Sequence, residues 1–321
     1  MVNGKRVAIV VERVKGLWQV DGTLPNLALM KLSSWLRSLD FVPVLQRVPD
    51  RFTAYASVIF TENRPRVEMW RRVYDFEVGG SGWDLAGRLP DEVEGCVPDY
   101  SLYGIGYAMG RLSVGCIRDC SFCIVRRKEG GLRQVAQLGD LVRPDSRKLM
   151  LLDNNLLALP GVVGILEEMI DLGLRVAFTQ GLDIRLVTPE IAELLAGVDY
   201  RANDFKHKRL FFAFDDIGLE ERVRAGIDLL LGAGLDPDTL SFYVLVGYDS
   251  DFGSDVARCE ILRGYGIKPY VMRYRKAPDL NALARWANAS RGLWRMPFSE
   301  YTRTERVKVG EGQGCLFSID V

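Results

Sequence analysis

The sequence predicts an α/β protein in which a small open parallel sheet with its helices precedes an incomplete (β/α)6 barrel. Three observations predict it. Short apolar runs alternate with amphipathic helical stretches along most of the chain. The runs in the second part are too far apart for hairpins but are spaced as strand-helix units. Polar residues follow those runs directly, as they do at the mouth of a barrel. At 321 residues, 48% hydrophobic and 26% charged, the chain has enough apolar material for two cores.

The first domain spans residues 1–100. It opens with an apolar strand, "RVAIVV" from Arg6 to Val11, followed by an amphipathic helix around Leu24 to Leu39. Strands follow at "VPVLQRV" and "YASVIFT", then a helix near "RPRVEMWRRVYDF" and a glycine turn, "VGGSGWDL". The segment "LPDEVEGCVPDYSLYG" is rich in proline and acid and weak in period, so it reads as a connection. The N-terminal apolar run is too short and too interrupted by charge for a signal peptide or a membrane span, and predicts a cytoplasmic protein with no membrane partner.

The second domain, residues 101–276, contains six apolar runs: "YAMGRLSV", "KLMLLD", "RVAFTQ", "RLFFAF", "SFYVLV" and "KPYVMR". Helical stretches lie between most of them, among them "LPGVVGILEEMIDLGL", "TPEIAELLAG", "EERVRAGIDLLLGAGL" and "DVARCEILRGYGI". Buried parallel strands need covering helices, and repeated right-handed crossovers curl the sheet; six units leave a TIM-type barrel incomplete. After the strands come Asp153, Asn154 and Asn155, then Gln180, Asp183 and Arg185, Asp215 and Asp216, Gly247 and Asp249, and Arg273, Tyr274 and Arg275. Adjacent residues on a strand point to opposite faces, so at most one of Asp215 and Asp216 faces the mouth, which argues against a paired-carboxylate hydrolase. The single histidine, His207, excludes a Ser/His/Asp hydrolase and a multi-histidine metal site.

The loop after the first run, "GCIRDCSFC", carries Cys116, Cys120 and Cys123 in a chain with six cysteines. In a reducing compartment, clustered cysteines point to metal rather than disulfides. A structural zinc site is the simpler reading, but it wants a complete tetrahedral set, and Cys96, Cys259, Cys315 and His207 are each isolated. Cys259, within a helical stretch, reads as a packed small hydrophobe. The spacing C-x3-C-x2-C instead suits a [4Fe–4S] cluster held by three thiolates, with one iron left open.

With an aromatic residue, Phe122, directly before its third cysteine, "CIRDCSFC" resembles the signature of the radical S-adenosylmethionine (SAM) superfamily, and the resemblance covers about Tyr107 to Lys276. It implies that the open iron chelates the amino and carboxylate groups of SAM and that an external one-electron reductant, such as a flavodoxin or ferredoxin, serves the cluster. It further implies that Asp153 and Asn154 hold the SAM amino group, that Gln180, Asp183 and Arg185 reach its ribose or carboxylate, and that Phe122 and Gly247 lie near its adenine. The first domain is similar to the Rossmann-like domain of cobalamin-dependent members. The histidine that would ligate cobalt is missing, since no histidine precedes His207, so a degenerate domain without cobalamin is expected. Gly79, Gly80 and Gly82 are weak candidates for a phosphate cradle. The alternative function is a non-catalytic iron–sulfur protein for electron transfer or structural support, although such proteins normally supply a fourth cysteine.

Basic and acidic residues balance at 42 each, so no polyanionic partner follows from overall charge. Composition shifts locally near the C-terminus: between Lys268 and Lys308 ten basic residues face three acidic ones, with Trp286, Trp294, Phe298 and Tyr301 interleaved. Two readings stand. Residues 277–321 are a covering segment with packed tryptophans, the favoured reading, or they receive an anionic substrate of the nucleotide or nucleic-acid class by stacking and phosphate contacts.

Overall fold

In a computed structural model, the structure describes residues 13–302. The strand expected at Arg6–Val11 lies outside the described residues, as do Cys315 and the basic residues Arg303, Arg306 and Lys308. The chain forms two compact units. One comprises residues up to 110 with 124–130 and 143–146, and the other comprises 111–123, 131–142 and the residues from 147 onward. Among the described residues, no helix is long and apolar enough to cross a membrane.

In the first unit, strands β1 (Val14–Gln19), β2 (Val42–Gln46), β3 (Thr53–Ser57) and β4 (Glu77–Gly79) pair in parallel in the order β2-β1-β3-β4. Strand side chains alternate between faces, and β1 shows the consequence. Leu17 packs with Leu29, Leu32 and Leu36 of helix α1 (Leu27–Ser38), while Trp18 packs with Val67 of α2 (Arg64–Arg71) and with Phe76. Helices therefore cover both faces of the sheet, as a parallel sheet requires. Asn26 caps α1 by accepting a 3.2 Å hydrogen bond from the Leu29 N–H. Helix α3 (Asp91–Glu94), strand β5 (Ala108–Gly110) and helix α4 (Val125–Glu129) complete the unit. The glycine turn has a packing explanation: Gly80 has φ +101°, a Cβ on it would stand 2.2 Å from the Val58 carbonyl oxygen, and the Gly82 N–H donates to that same oxygen. These glycines let two backbones touch, and the Gly82 N–H is not free for a phosphate.

The second unit begins with β6 (Ser113–Val114), which pairs antiparallel with β7 (Arg133–Gln134), and helix α5 (Leu138–Leu141). Then strands and helices alternate: β8 (Lys148–Leu151), α6 (Val162–Asp171), β9 (Arg175–Phe178), α7 (Pro189–Gly197), β10 (Asp199–Tyr200), β11 (Leu210–Ala213), α8 (Glu220–Gly232), β12 (Leu240–Val246), α9 (Phe252–Gly264), β13 (Lys268–Arg273) and α10 (Pro278–Asn288). Strand β9 pairs in parallel with β8 and β10, and β12 in parallel with β11 and β13. A parallel bridge between Leu182 and Phe212, with the Leu182 N–H 2.7 Å from the Phe211 oxygen, links the two groups of strands. The protein is thus α/β with parallel sheets. Sequence signals start the helices where expected: Thr188 caps α7 ahead of Pro189, and Asp251 caps α9.

One expected strand forms differently. Tyr107–Val114 is not continuous, because it divides into β5 and β6 around Arg111 and Leu112. The N–H groups of Leu112 and Ser113 donate to the Asp153 carboxylate at 3.1 and 2.6 Å, so a side chain takes the donors that a strand ladder would use. Beyond β13, Trp286, Trp294, Phe298 and Tyr301 are all buried; Trp286 and Phe298 rings meet edge to face at 5.5 Å, and the Trp286 indole donates to the Met296 oxygen at 2.9 Å. The described part of this segment is packed as the covering reading expects. Its rings are not exposed for stacking.

Candidate functional site

The cysteine loop starts at Gly115, whose φ of +80° turns the chain sharply after β6. Asp153, at the end of β8, fixes the root of the loop. Its carboxylate accepts from the Leu112 N–H, the Ser113 N–H and the Ser113 hydroxyl, the last at 2.6 Å. Burial raises the Asp153 carboxyl above its ordinary value, and these hydrogen bonds only partly offset the effect.

Asp183, after β9, holds the middle of the loop. It accepts from Arg118 Nε at 2.9 Å and from Arg185 Nε and Nη2 at 2.6 and 2.9 Å. Burial would raise this carboxyl, but the bonds from Arg185 and Arg118 outweigh it and hold it below the ordinary carboxylate value. Arg118 lies between Cys116 and Cys120 in the sequence, so this ion pair clamps the loop against the end of β9.

Cys116, Cys120 and Cys123 are all partly buried and reduced. They share one electrostatic neighbourhood. Burial pushes the Cys120 thiol up, Arg185 pulls it down, and Cys123, Cys116 and Asp215 raise it further. Cys116 receives two N–H donors, the Arg118 backbone at 3.3 Å and Asn155 Nδ2 at 3.6 Å. Asp215 accepts from the Leu245 N–H at 2.8 Å, whereas the exposed Asp216 caps the following turn through the Gly218 N–H at 2.9 Å. The two carboxylates part, although both lie beyond β11, which ends at Ala213, and not on the strand itself.

Aromatic rings border the loop on another side. Phe122 meets Tyr248 edge to face at 5.7 Å, and Tyr248 meets Tyr274 at 4.7 Å. The same side of β11 to β13 continues as Phe211, Tyr243, Tyr270 and Met272: Phe211 stacks on Tyr243 at 4.9 Å, and Tyr243 meets Tyr270 at 5.7 Å. Tyr270, Met272 and Tyr274 are exposed. The Tyr243 hydroxyl reaches the Thr179 carbonyl at the end of β9 at 3.4 Å, and burial pushes its pKa up to about 12.

The residues expected at the site thus separate into groups. The three cysteines, Phe122, Asp153, Asp183 and Arg185 gather around the loop. Asn154 is half-buried after β8, and Gln180 is exposed, its amide 3.4 Å from the Thr179 hydroxyl. Gly247 has φ +73°; its N–H donates to Asp255 Oδ2 at 3.0 Å and a Cβ there would stand 2.3 Å from Leu280 Cδ1, so packing already requires this glycine. Asp255 is paired with Arg258, both fully buried, and Arg258 Nη1 bonds the carbonyls of Phe214 and Leu245. This pair ties the ends of β11 and β12, which carry Asp215 and Tyr248.

Sequence reasoning placed Asn155 among the strand-end residues but gave neither it nor Arg118 a role. Both sit in segments it had singled out, but only their contacts show which of several polar neighbours turns inward. Cys259 is buried in α9, where burial pushes its thiol up to about 12, and His207 is exposed and bonded to Asp204. Among the described residues, no group of three or more His, Cys, Asp or Glu side chains converges on a single metal ion. A cubane cluster makes a different demand, because each thiolate binds a different iron and the sulfurs stand further apart than around one ion. The Arg185 guanidinium lies in the field of Cys120 and Cys116, and Cys116 accepts N–H donors from the Arg118 backbone and from Asn155. Thiols that bind metal do so as thiolates, and Arg185 is a cation placed to favour that form at Cys120.

No protein-family model matches the chain, and no curated protein is similar to it.

Proposed function

We propose that the protein is a radical SAM enzyme whose second unit is an incomplete (β/α)6 barrel and whose Cys116, Cys120 and Cys123 hold one [4Fe–4S] cluster. The observation that carries this reading is that the C-x3-C-x2-C loop and the polar ends of β8, β9, β11 and β12 lie together, with Asp183 bonded to Arg118 in the loop and Asp153 bonded to Leu112 and Ser113 just before it. The parallel strands linked through Leu182 and Phe212 support the barrel. When bound, the cluster supplies the electron that splits SAM into methionine and a 5′-deoxyadenosyl radical, which abstracts hydrogen from a substrate.

The chain's own residues supply the setting. Asp153 and the Asp183–Arg118 pair orient the three thiols. Phe122, Tyr248 and Tyr274 form an aromatic wall beside the loop that gives adenine a surface to lie against. Asn154 and Gln180 remain the polar side chains for the amino, carboxylate or ribose groups of SAM. The exposed face of Tyr270, Met272 and Tyr274 is the surface for the substrate. An external one-electron carrier, such as a flavodoxin or ferredoxin, supplies the reductant.

Anaerobic reconstitution with iron, sulfide, dithionite and SAM tests this reading. The parent chain should release 5′-deoxyadenosine, and Cys116→Ala, Cys120→Ala and Cys123→Ala should each abolish it. A cluster that forms but whose electron paramagnetic resonance signal is unmoved by SAM would instead make the protein an electron carrier. An unreduced yield from the triple variant would remove the cysteines from the chemistry.

A further inference from the structure

Asn155 is 3% exposed, and its amide is used unevenly. Nδ2 lies 3.6 Å from Cys116 Sγ and 3.4 Å from Asp183 Oδ2, while Oδ1 is buried with no hydrogen-bond partner among the described residues. Turning the amide over would point Oδ1 at a sulfur and a carboxylate, both electron-rich, so the donor must face them. A buried acceptor without a partner is destabilising, and an apolar side chain of similar size would avoid that cost. The position therefore keeps an amide at some expense in stability, and what the amide retains is its donor. Asp183 has little need of it, since two guanidiniums already supply three shorter bonds to that carboxylate. Cys116 is the atom group that gains.

We infer that Asn155 is a positioning and tuning residue for the cluster proposed above, its Nδ2–H donating to the Cys116 thiolate and raising the cluster's reduction potential. The inference rests on that cluster being present. Reduction adds one negative charge, part of which falls on the thiolate sulfurs, so an N–H directed at sulfur favours the reduced state. The backbone N–H of Arg118, at 3.3 Å from the same sulfur, acts in the same sense and is untouched by any side-chain substitution other than proline. Asn155 is the adjustable half of the pair.

The test is a redox titration of the reconstituted full-length chain, followed by the electron paramagnetic resonance signal of the reduced cluster. Asn155→Ala should leave about tenfold less reduced cluster at a fixed solution potential, which for a one-electron couple is about 59 mV more negative. Asn155→Asp keeps the shape, removes the donor and adds negative charge, so its potential should fall below that of the alanine variant. Full cluster loading with the parent potential in both variants would overturn the inference and leave the proposed function standing. An aspartate variant that restores the parent potential would also overturn it, because shape rather than donation would then matter. Failure of the parent chain to hold any [4Fe–4S] cluster would overturn the proposed function itself, and this inference with it. If the alanine variant fails to fold, the isosteric aspartate variant decides the question.

Discussion

Asp183→Asn should destabilise the second unit by about 3 kcal/mol at neutral pH, the lower end of the cost of breaking a buried ion pair by removing one partner. The lower end applies because the partners keep some contact with water: the Asp183 side chain is 6% exposed, but Arg118 is 31% and Arg185 21% exposed. The substitution retains the shape and one acceptor oxygen, yet turns an N–H2 toward a guanidinium. The pH dependence has a definite sign. The Asp183 carboxyl is held below its ordinary value of 3.8, so its stabilisation is complete above the unfolded value and is lost as pH falls through the lower folded one. Urea unfolding of the reduced, cluster-free chain should therefore show the largest gap between parent and variant at neutral pH, closing under strongly acidic conditions. A gap below about 0.5 kcal/mol at neutral pH, or one that does not narrow with acid, would refute the clamp. Cluster loading gives a second readout, since a freed Arg118 releases the middle of the cysteine loop and should slow reconstitution without changing the number of thiols.

Gly247→Ala must place a Cβ 2.3 Å from Leu280 on a backbone with φ +73°, and should cost about 3 kcal/mol, seen as a lower Tm. Arg258→Met leaves Asp255 charged and unpaired in the core; a loss of about 3–5 kcal/mol in urea unfolding is expected, and an unchanged midpoint would show that the pair is dispensable. The purified protein should carry no stoichiometric corrinoid, because no histidine precedes His207 to ligate cobalt; a corrinoid visible spectrum in the isolated protein would contradict this.

Much of the strand pattern was legible because buried parallel strands are written as short apolar runs: "KLMLLD", "RVAFTQ", "RLFFAF", "SFYVLV" and "KPYVMR" each contain one of the strands β8, β9, β11, β12 and β13. The first described strand, Val14–Gln19, was missed, since Lys15 and Gly16 interrupt its apolar run and its buried pair, Leu17 and Trp18, are neighbours on opposite faces. Tyr107–Val114 looked continuous because hydropathy is blind to Asp153, which captures two of its N–H groups from 40 and 41 residues away in the chain. Arg258 was illegible for a related reason: besides Asp255 one turn away on the same helix, its buried guanidinium is satisfied by the Phe214 and Leu245 carbonyls, which lie 44 and 13 residues away. At the candidate site, spacing marked the cysteines, but the division of labour among their polar neighbours depended on which lone pairs were already occupied.

That division alters the roles of the strand-end residues. Asp153 and Asp183 were expected to touch SAM, yet each has its carboxylate taken up by the cysteine loop, one at its root and one through Arg118. The ends of β8 and β9 thus hold the loop that would hold the cluster, leaving ligand contacts to exposed side chains such as Gln180. A parallel shift affects the substrate surface. Trp286 and Trp294 are 0% and 5% exposed, so the covering segment offers neither ring for stacking. Tyr270 and Tyr274, at 43% and 59%, stand open on β13 and just beyond it, and Tyr274 connects through Tyr248 to Phe122 in the cysteine loop itself. If a flat ring is recognised by this chain, the aromatic surface that can meet it is therefore the open side of β11 to β13, on the same unit as the thiols.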